Sequence, residues 1–260
     1  MRAESVGFVG GGRIARIMLE GWRRAGAMPA RVVVSDPNPD ALAKLTAQFP
    51  NIETCVGDNC AAAGQSVVFV GLHPAAFGEG LAGVGAALAP DAIVVSLAPK
   101  ITIERLRAML GGFDRIARAN PNAPSIVGAG YNPVAFGPGL DAAARHLILE
   151  LLAPLGESPV VDEATIEVYA VTSAMGPTYL WFQLYGLREL AGSFGLTGEA
   201  AADAVDRMTR GALDTMARSG LAPAEVMDLV PVHPLGEDET AFNEAYRTRL
   251  TAVMERIRPA

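Results

Sequence analysis

Residues 6–15 constrain the fold of this chain more than any other stretch. An apolar run breaks into three consecutive glycines and resumes with the spacing of an amphipathic helix, which predicts a buried strand that turns directly into a helix. Gly10 suits the tight turn, and Gly12 lets the backbone approach a bound phosphate. Ala15 lets the helix pack closely on the sheet. The stretch therefore predicts a phosphate-binding turn at the start of an α/β domain.

Asp36 closes the second predicted strand, 24 positions after Gly12. At about this spacing an acidic residue bonds the ribose hydroxyls of a dinucleotide, and its charge repels a 2′-phosphate. The free N–H groups at the helix start favour the pyrophosphate. These features predict a dinucleotide site and favour NADH over NADPH. A glycine-rich turn in another kind of α/β protein, and Asp36 as an ordinary turn residue, are the alternatives.

The first half of the chain alternates apolar runs with amphipathic stretches, the pattern of a doubly wound parallel sheet. We expect polar or tight segments at the carboxyl ends of the strands to line a ligand crevice. The predicted strands are residues 6–9, 31–35, 66–71, 92–97, 115–118 and 158–161, and the predicted helices are 15–25, 39–48, 75–88 and 140–155.

Beyond residue 161 no strand pattern recurs. We therefore expect two domains, a Rossmann domain over 1–161 and an all-α domain over 162–260. An apolar, aromatic-rich helical stretch at 168–190 has more surface than one small core can bury, which predicts a homodimer or higher homo-oligomer. The predicted helical segments are 163–191, interrupted at Gly176-Pro177, then 197–219, 223–229 and 239–258, with a loop at 230–236.

Composition excludes several classes of function. The net charge is −7 and the 21 Lys and Arg residues are scattered, which argues against nucleic acid as a partner. No apolar run reaches the ~18 residues of a membrane helix, so we expect a cytoplasmic protein. Cys55 and Cys60 have neither disulfide-framework nor metal-ligand spacing, and we expect no metal.

The chain resembles the pyrroline-5-carboxylate reductase family over nearly its whole length. The shared motifs lie at residues 7–12, 73–74, 95–98, 118–122 and 176–179 and at a turn near Pro234. The resemblance implies a Rossmann domain and a helical dimerisation domain, with the active site where the two meet. It also implies an oxidoreductase that reduces the C=N bond of a cyclic imine in proline biosynthesis, with NADPH or NADH as cofactor.

Strand ends and family motifs together define the candidate site residues. For the cofactor they are Gly10, Gly11, Gly12, Arg13, Ile14, Ser35, Asp36, Leu72, His73, Pro74, Ala98 and Asn122. For the substrate they are Met175, Gly176, Pro177 and Thr178, and the candidate catalytic residues are Thr178 and His233. Arg13 as a solvated arginine and His233 as a histidine with an ordinary loop hydrogen bond are the competing interpretations.

Departures from the family pattern cluster on the substrate side. Met175 stands where the family has a serine, and residues 231–238 replace a Pro-Gly-Gly-Thr-Thr turn. These changes predict an altered pocket with weakened carboxylate binding. Two other functions stay open: a carbonyl-reducing dehydrogenase of the hydroxyacid type, and a nucleotide-binding protein without turnover. The hydroxyacid-type dehydrogenase would need a lysine as acid on the first helix of the second domain, and residues 163–191 contain no lysine.

Overall fold

The computed structural model describes residues 5–259. The chain divides into two compact units, and the contacts of each lie mostly within it. One is Met1–Met175 together with Val253–Ala260, and the other is Gly176–Ala252. The division of the chain into domains at residue 161 stays a prediction.

The first unit is built on a seven-stranded sheet in the order β3-β2-β1-β4-β5-β6-β8. Strands β1 to β6 run parallel and β8 is antiparallel to β6. This is the strand order of the Rossmann fold, so the predicted fold class is confirmed. The strands are β1 (Ser5–Val9), β2 (Arg31–Asp36), β3 (Glu53–Val56), β4 (Val67–Val70), β5 (Ile93–Ser96), β6 (Ile116–Ala119) and β8 (Val134–Phe136).

Side chains alternate between two cores, one on each face of the sheet. Phe8 and Phe69 face one side, where their rings stack at 5.3 Å and Trp22 of the first helix packs on both. Val9 and Val70 face the other side. Because both faces are covered, these strands are apolar throughout, and this is why the sequence pattern located them.

Eight α-helices surround the sheet among the described residues of this unit. They are α1 (Arg13–Arg24), α2 (Pro39–Gln48), α3 (Asn59–Ala63), α4 (Phe77–Gly80), α5 (Val84–Ala87), α6 (Ile103–Met109), α7 (Ala142–Leu152) and α8 (Ile166–Tyr169). The single helix predicted at 75–88 is wrong, because Gly83 lies at φ +76 and separates α4 from α5. The helix predicted at 140–155 ends as α7 at Leu152 and continues as a 3-10 turn through Pro154.

The strand predicted at 158–161 is also wrong. The structure has β9 at Gly156–Glu157 instead, paired in parallel with β7 at Gly130–Tyr131, and only an isolated bridge from Val134 to Val160. Pro159 has no N–H to donate to a ladder, and Val160 is 60% exposed, so little holds this stretch in a sheet.

The second unit is helical, as predicted. It contains α9 (Pro177–Ser193), α10 (Gly198–Arg218), α11 (Pro223–Asp228) and most of α12 (Glu239–Ile257). Thr197 caps α10 by accepting a hydrogen bond from Ala200 N at 3.2 Å. Helix α9 contains no buried residue, so the surplus apolar surface expected in 168–190 is uncovered along this helix in the single chain.

Candidate cofactor and substrate site

The glycine turn lies between β1 and α1, as the sequence predicts. Gly10 has φ +105, and a Cβ at this position would meet Gly71 O at 2.9 Å. Its N–H donates to Ser35 O at 2.8 Å, which ties the turn to the end of β2. Only glycine satisfies both the backbone angle and the close approach, so Gly10 sets the direction in which the chain enters α1.

Gly12 precedes α1 and has a different role. Its φ of −74 is open to any residue, and no non-neighbouring described atom lies within 4 Å of a Cβ built there. No described side chain caps this helix, and its first turn has no acidic residue. Helix N–H groups therefore face open space, which fits a pyrophosphate. Arg13 is exposed beside this space, and Ile14 is half-buried against the core.

Asp36 lies at the end of β2, next to the glycine turn. Its Oδ2 accepts from Gly11 N at 2.9 Å and its Oδ1 accepts from Asn38 N at 2.8 Å. Each oxygen keeps acceptor capacity for a ribose hydroxyl. Ser35 is fully buried and donates to Asn59 Oδ1 at 2.7 Å, so its side chain serves the packing behind the crevice.

The ends of β4 and β5 supply the next candidate residues. His73 is exposed, and its Nδ1 accepts from Ala75 N at 3.4 Å at the start of the 3-10 turn Pro74–Ala76. Leu72 is partly buried, and Ala98 is 6% exposed after β5. Since β4 is the neighbour of β1 in the sheet, residues 72–74 follow the strand adjacent to the glycine turn.

Asn122 lies in the turn after β6 and is 6% exposed. Its side-chain amide has two protein partners: Nδ2 donates to Ser173 O at 3.2 Å and Oδ1 accepts from Tyr131 N at 3.2 Å. The structure thus connects a predicted cofactor residue to the segment that precedes Met175.

An ion cluster around the buried Arg118 lies at the end of β6, and the sequence prediction did not include it. Arg118 of β6 is 1% exposed and pairs with Glu167, which is 2% exposed, and with Glu163 at 3.1 Å. The same carboxylates accept the N–H groups of Lys100 and Ile103 at 2.9 and 2.7 Å. The cluster fastens the segment 163–167 to the loop after β5. An arginine within an otherwise apolar strand was the available signal, because a buried charge needs buried partners.

The substrate-side candidates lie in two places along the chain. Met175 ends a π-helical turn, its N–H donating to Ala170 O at 3.0 Å. Gly176 is the N-cap of α9, Pro177 is its first residue, and Thr178 in its first turn is exposed.

His233 is exposed, and its Nε2 lies 2.7 Å from Val230 O. That bond is the one expected of an ordinary loop histidine. In the same helical unit, burial and then the neighbouring Tyr246 raise the pKa of Tyr179 above its usual value.

The described residues contain no group of three or more side chains that could hold a metal ion. None of the described helices is long and apolar enough to cross a membrane.

Known proteins with similar sequences include several pyrroline-5-carboxylate reductases. A family profile described as "NADP oxidoreductase coenzyme F420-dependent" matches residues 5–100. The chain is 27% identical to the pyrroline-5-carboxylate reductase of Pseudomonas aeruginosa, over 98% of this chain and 93% of that protein. It is 26% identical to the pyrroline-5-carboxylate reductase of Escherichia coli, over 97% of both chains.

Solved structures agree over the full length. A pyrroline-5-carboxylate reductase from Coxiella burnetii matches with a TM-score of 0.74 and 26% identity, covering 99% of this chain and 98% of that one. The pyrroline carboxylate reductase of Plasmodium falciparum, solved with NADP bound, shares the fold with a TM-score of 0.83 and 17% identity, covering 98% and 97%. The chain is thus similar over nearly its full length to proteins named pyrroline-5-carboxylate reductase.

Proposed function

We propose that this protein is an NAD(P)H-dependent reductase of cyclic imines, with pyrroline-5-carboxylate or a related imino acid as substrate. The proposal rests on the features that occur together where β1 and β2 end. Open space at Gly12, an uncapped helix start and the Asp36 carboxylate lie together at the carboxyl ends of β1 and β2. Full-length relatives with this fold carry the name pyrroline-5-carboxylate reductase.

The chain's own residues would bind and orient the cofactor. The N–H groups of the first turn of α1 would hold the pyrophosphate, and Asp36 would accept the ribose hydroxyls. The loops after β4 and β5, with His73 and Ala98, would flank the nicotinamide half. When bound, the reduced cofactor supplies the hydride that the imine carbon accepts, and the imine nitrogen takes a proton.

The source of that proton is part of the proposal. A cyclic imine that is protonated in solution brings its own proton, so the reaction needs no acid from the protein. If the reaction does need an acid from the protein, Thr178 and His233 are the candidate proton donors. Orientation of the imine over the cofactor is then the main contribution of the protein to the rate.

Two finer proposals concern the cofactor and the assembly. Asp36 carries a negative charge where a 2′-phosphate would lie, and residues 36–41 contain no Lys or Arg to offset it, so we propose NADH as the preferred cofactor. Exposed aromatic side chains on α9, described below, support a homodimer or higher homo-oligomer. A cytoplasmic location is proposed because the reaction requires a supply of reduced cofactor.

Fluorescence titration with NADH and NADPH, followed by turnover of cyclic imines and of 2-oxo acids, tests the proposal. Binding and imine turnover support it. Turnover of 2-oxo acids alone would favour a hydroxyacid-type dehydrogenase, and binding without any turnover would favour a nucleotide-binding protein.

A further inference from the structure

A single π-helical turn, Ala170–Ala174, interrupts the helical segment that leads to Gly176. Its closing bond runs from Met175 N to Ala170 O, five residues back, at 3.0 Å. A π turn contains one more residue than an α turn and weakens the regular bonding of the helix, so it persists where other contacts stabilise it. The turn lies directly before the candidate substrate residues, which begin at Met175.

Asn122 supplies one of these contacts from outside the helix. Its Nδ2 donates to Ser173 O, a carbonyl of the π turn, at 3.2 Å. Its Oδ1 accepts from Tyr131 N at 3.2 Å, and the side chain is buried. The turn after β6 is thereby bonded to the turn before Met175.

Asn122, Tyr131 and Ser173 form a closed ring of contacts together with Tyr169. The aromatic ring of Tyr131 packs against that of Tyr169 with 6.1 Å between centroids. The carbonyl of Tyr169 accepts from the hydroxyl of Ser173 at 2.9 Å. Ser173 O accepts from Asn122 Nδ2, which closes the ring, so each of the four residues has two partners within it. A ring of this kind fixes the π turn against the sheet more firmly than one bond would.

We infer that Asn122 is a positioning residue, which holds the π turn and so sets where Met175 stands at the substrate side of the first unit. This inference rests on the proposed function, since Met175 is a proposed substrate contact. It differs from the role that the sequence alone suggested for Asn122, a direct contact to the cofactor. The two roles give opposite results when the amide is changed.

The test uses Asn122→Asp in the full-length protein. The carboxylate keeps an acceptor for Tyr131 N but replaces the donor with an oxygen that repels Ser173 O. We expect kcat for the imine that the wild type reduces best to fall about tenfold, the factor for one hydrogen bond of about 1.4 kcal/mol, because hydride transfer depends on alignment. The Kd for NADH should stay within about twofold. If Asn122→Asp instead weakens NADH binding and leaves kcat unchanged, Asn122 contacts the cofactor and the inference is overturned.

Hydrogen exchange gives a readout that needs no activity. In Asn122→Asp the Met175 amide should exchange about tenfold faster, since the π turn loses its outside support. Thr172→Val is the matched control: it removes a hydroxyl bond of the same turn, from Thr172 Oγ1 to Val168 O at 2.9 Å, without touching Asn122. The control should leave Met175 exchange and kcat near the wild-type values.

The outcomes separate failure of this inference from failure of the proposed function. If the wild type reduces no imine, the proposed function fails, yet Met175 exchange still decides whether Asn122 holds the turn. Unchanged exchange in Asn122→Asp overturns the inference whatever the activity. Should Asn122→Asp fail to fold, Asn122→Ser replaces it, because serine is smaller and introduces no charge, and the same criteria apply.

Discussion

Gly10 and Gly12, the outer two glycines of the turn between β1 and α1, have separate roles. Gly10 is required by the fold, because its φ of +105 and its approach to Gly71 exclude a side chain. Gly12 has ordinary backbone angles and open space around it, so the fold does not require glycine there. Glycine at position 12 leaves the space beside the helix start empty. This empty space has a function only if a ligand binds in it.

This contrast predicts the effect of Gly12→Val. The variant should fold with a melting temperature close to that of the wild type, because the added atoms meet no protein neighbour. Its affinity for NADH should fall more than about 100-fold, because the side chain occupies the pyrophosphate position. Gly78→Val is the control, since Gly78 also has open space around it but lies in α4. Unchanged NADH affinity in Gly12→Val would contradict the assignment of this turn to the cofactor.

Asp36 predicts the choice between the two cofactors. Asp36→Ser should raise the affinity for NADPH relative to NADH about tenfold, since a repulsion of about 1–2 kcal/mol with the 2′-phosphate is removed. Asp36→Asn should do the same while keeping an acceptor for Gly11 N. The measurement is the ratio of the two dissociation constants, with Asp40→Asn as control. A wild type that already prefers NADPH strongly would show that Asp36 does not face the ribose.

Contacts between residues far apart along the chain were not predictable from the sequence. Gly10 was predictable because its conformation is a local property of the turn. The partners of Arg118 were not, because Glu163 and Glu167 lie 45 and 49 positions away and reach it only through the fold. Asn122 was placed at the correct edge, but its bond to Ser173 spans 51 positions and no local pattern encodes it.

At the scale of elements, burial decided which predictions were confirmed. Strands β1, β4 and β5 are buried on both faces, and their apolar runs marked them clearly. Strand β3 has the sequence Glu-Thr-Cys-Val at the sheet edge and is mostly exposed, and β8 has only three residues, so neither produced a signal. The break between α4 and α5 follows from the conformation of Gly83, which helical periodicity does not reveal.

The loop at residues 230–238 predicts the substrate preference. It lacks the paired glycines and the threonines of the Pro-Gly-Gly-Thr-Thr turn, and each hydrogen bond to a carboxylate contributes roughly 1.5–3 kcal/mol. Loss of two or three donors should lower kcat/KM for pyrroline-5-carboxylate by several orders of magnitude relative to a typical family member. An imine without the carboxylate, or with an apolar group suited to Met175, should be reduced better. Steady-state kinetics on a matched pair of imines measures this.

His233 supplies the control for that prediction. Because its Nε2 is already bonded to Val230 O, His233→Ala should affect acidic and neutral imines to a similar extent. A selective loss with the acidic imine would instead show that His233 provides a cationic contact to the carboxylate. Efficient wild-type turnover of pyrroline-5-carboxylate, undiminished in His233→Ala, would contradict our interpretation of the loop.

At the scale of the whole molecule, the helical unit leaves much apolar surface uncovered. Phe182 and Tyr185 of α9 are 67% and 66% exposed, and Phe194 after it is 79% exposed. Exposed aromatics in such number are typical of a surface that another protein covers. A second copy of the chain is the simplest candidate, as the helical composition predicted.

We therefore expect a dimer or larger assembly in light scattering at micromolar concentration. The double variant Phe182→Glu and Tyr185→Glu should dissociate it, because each aromatic group buried in an interface contributes roughly 1.5–3 kcal/mol and a buried carboxylate is unfavourable. Arg105→Glu, on an exposed position of α6, is the control for a change of charge. A monomeric wild type would contradict the prediction.

Hydride transfer to a C=N bond is the claim on which the account depends. The most direct measurement combines the purified protein with NADH and a panel of cyclic imines, and follows both the loss of absorbance of the reduced cofactor and the appearance of the cyclic amine. We predict stoichiometric formation of amine and oxidised cofactor with at least one imine, and loss of this activity in Gly12→Val. Binding of NADH without amine formation from any imine, or reduction of 2-oxo acids only, would contradict the account.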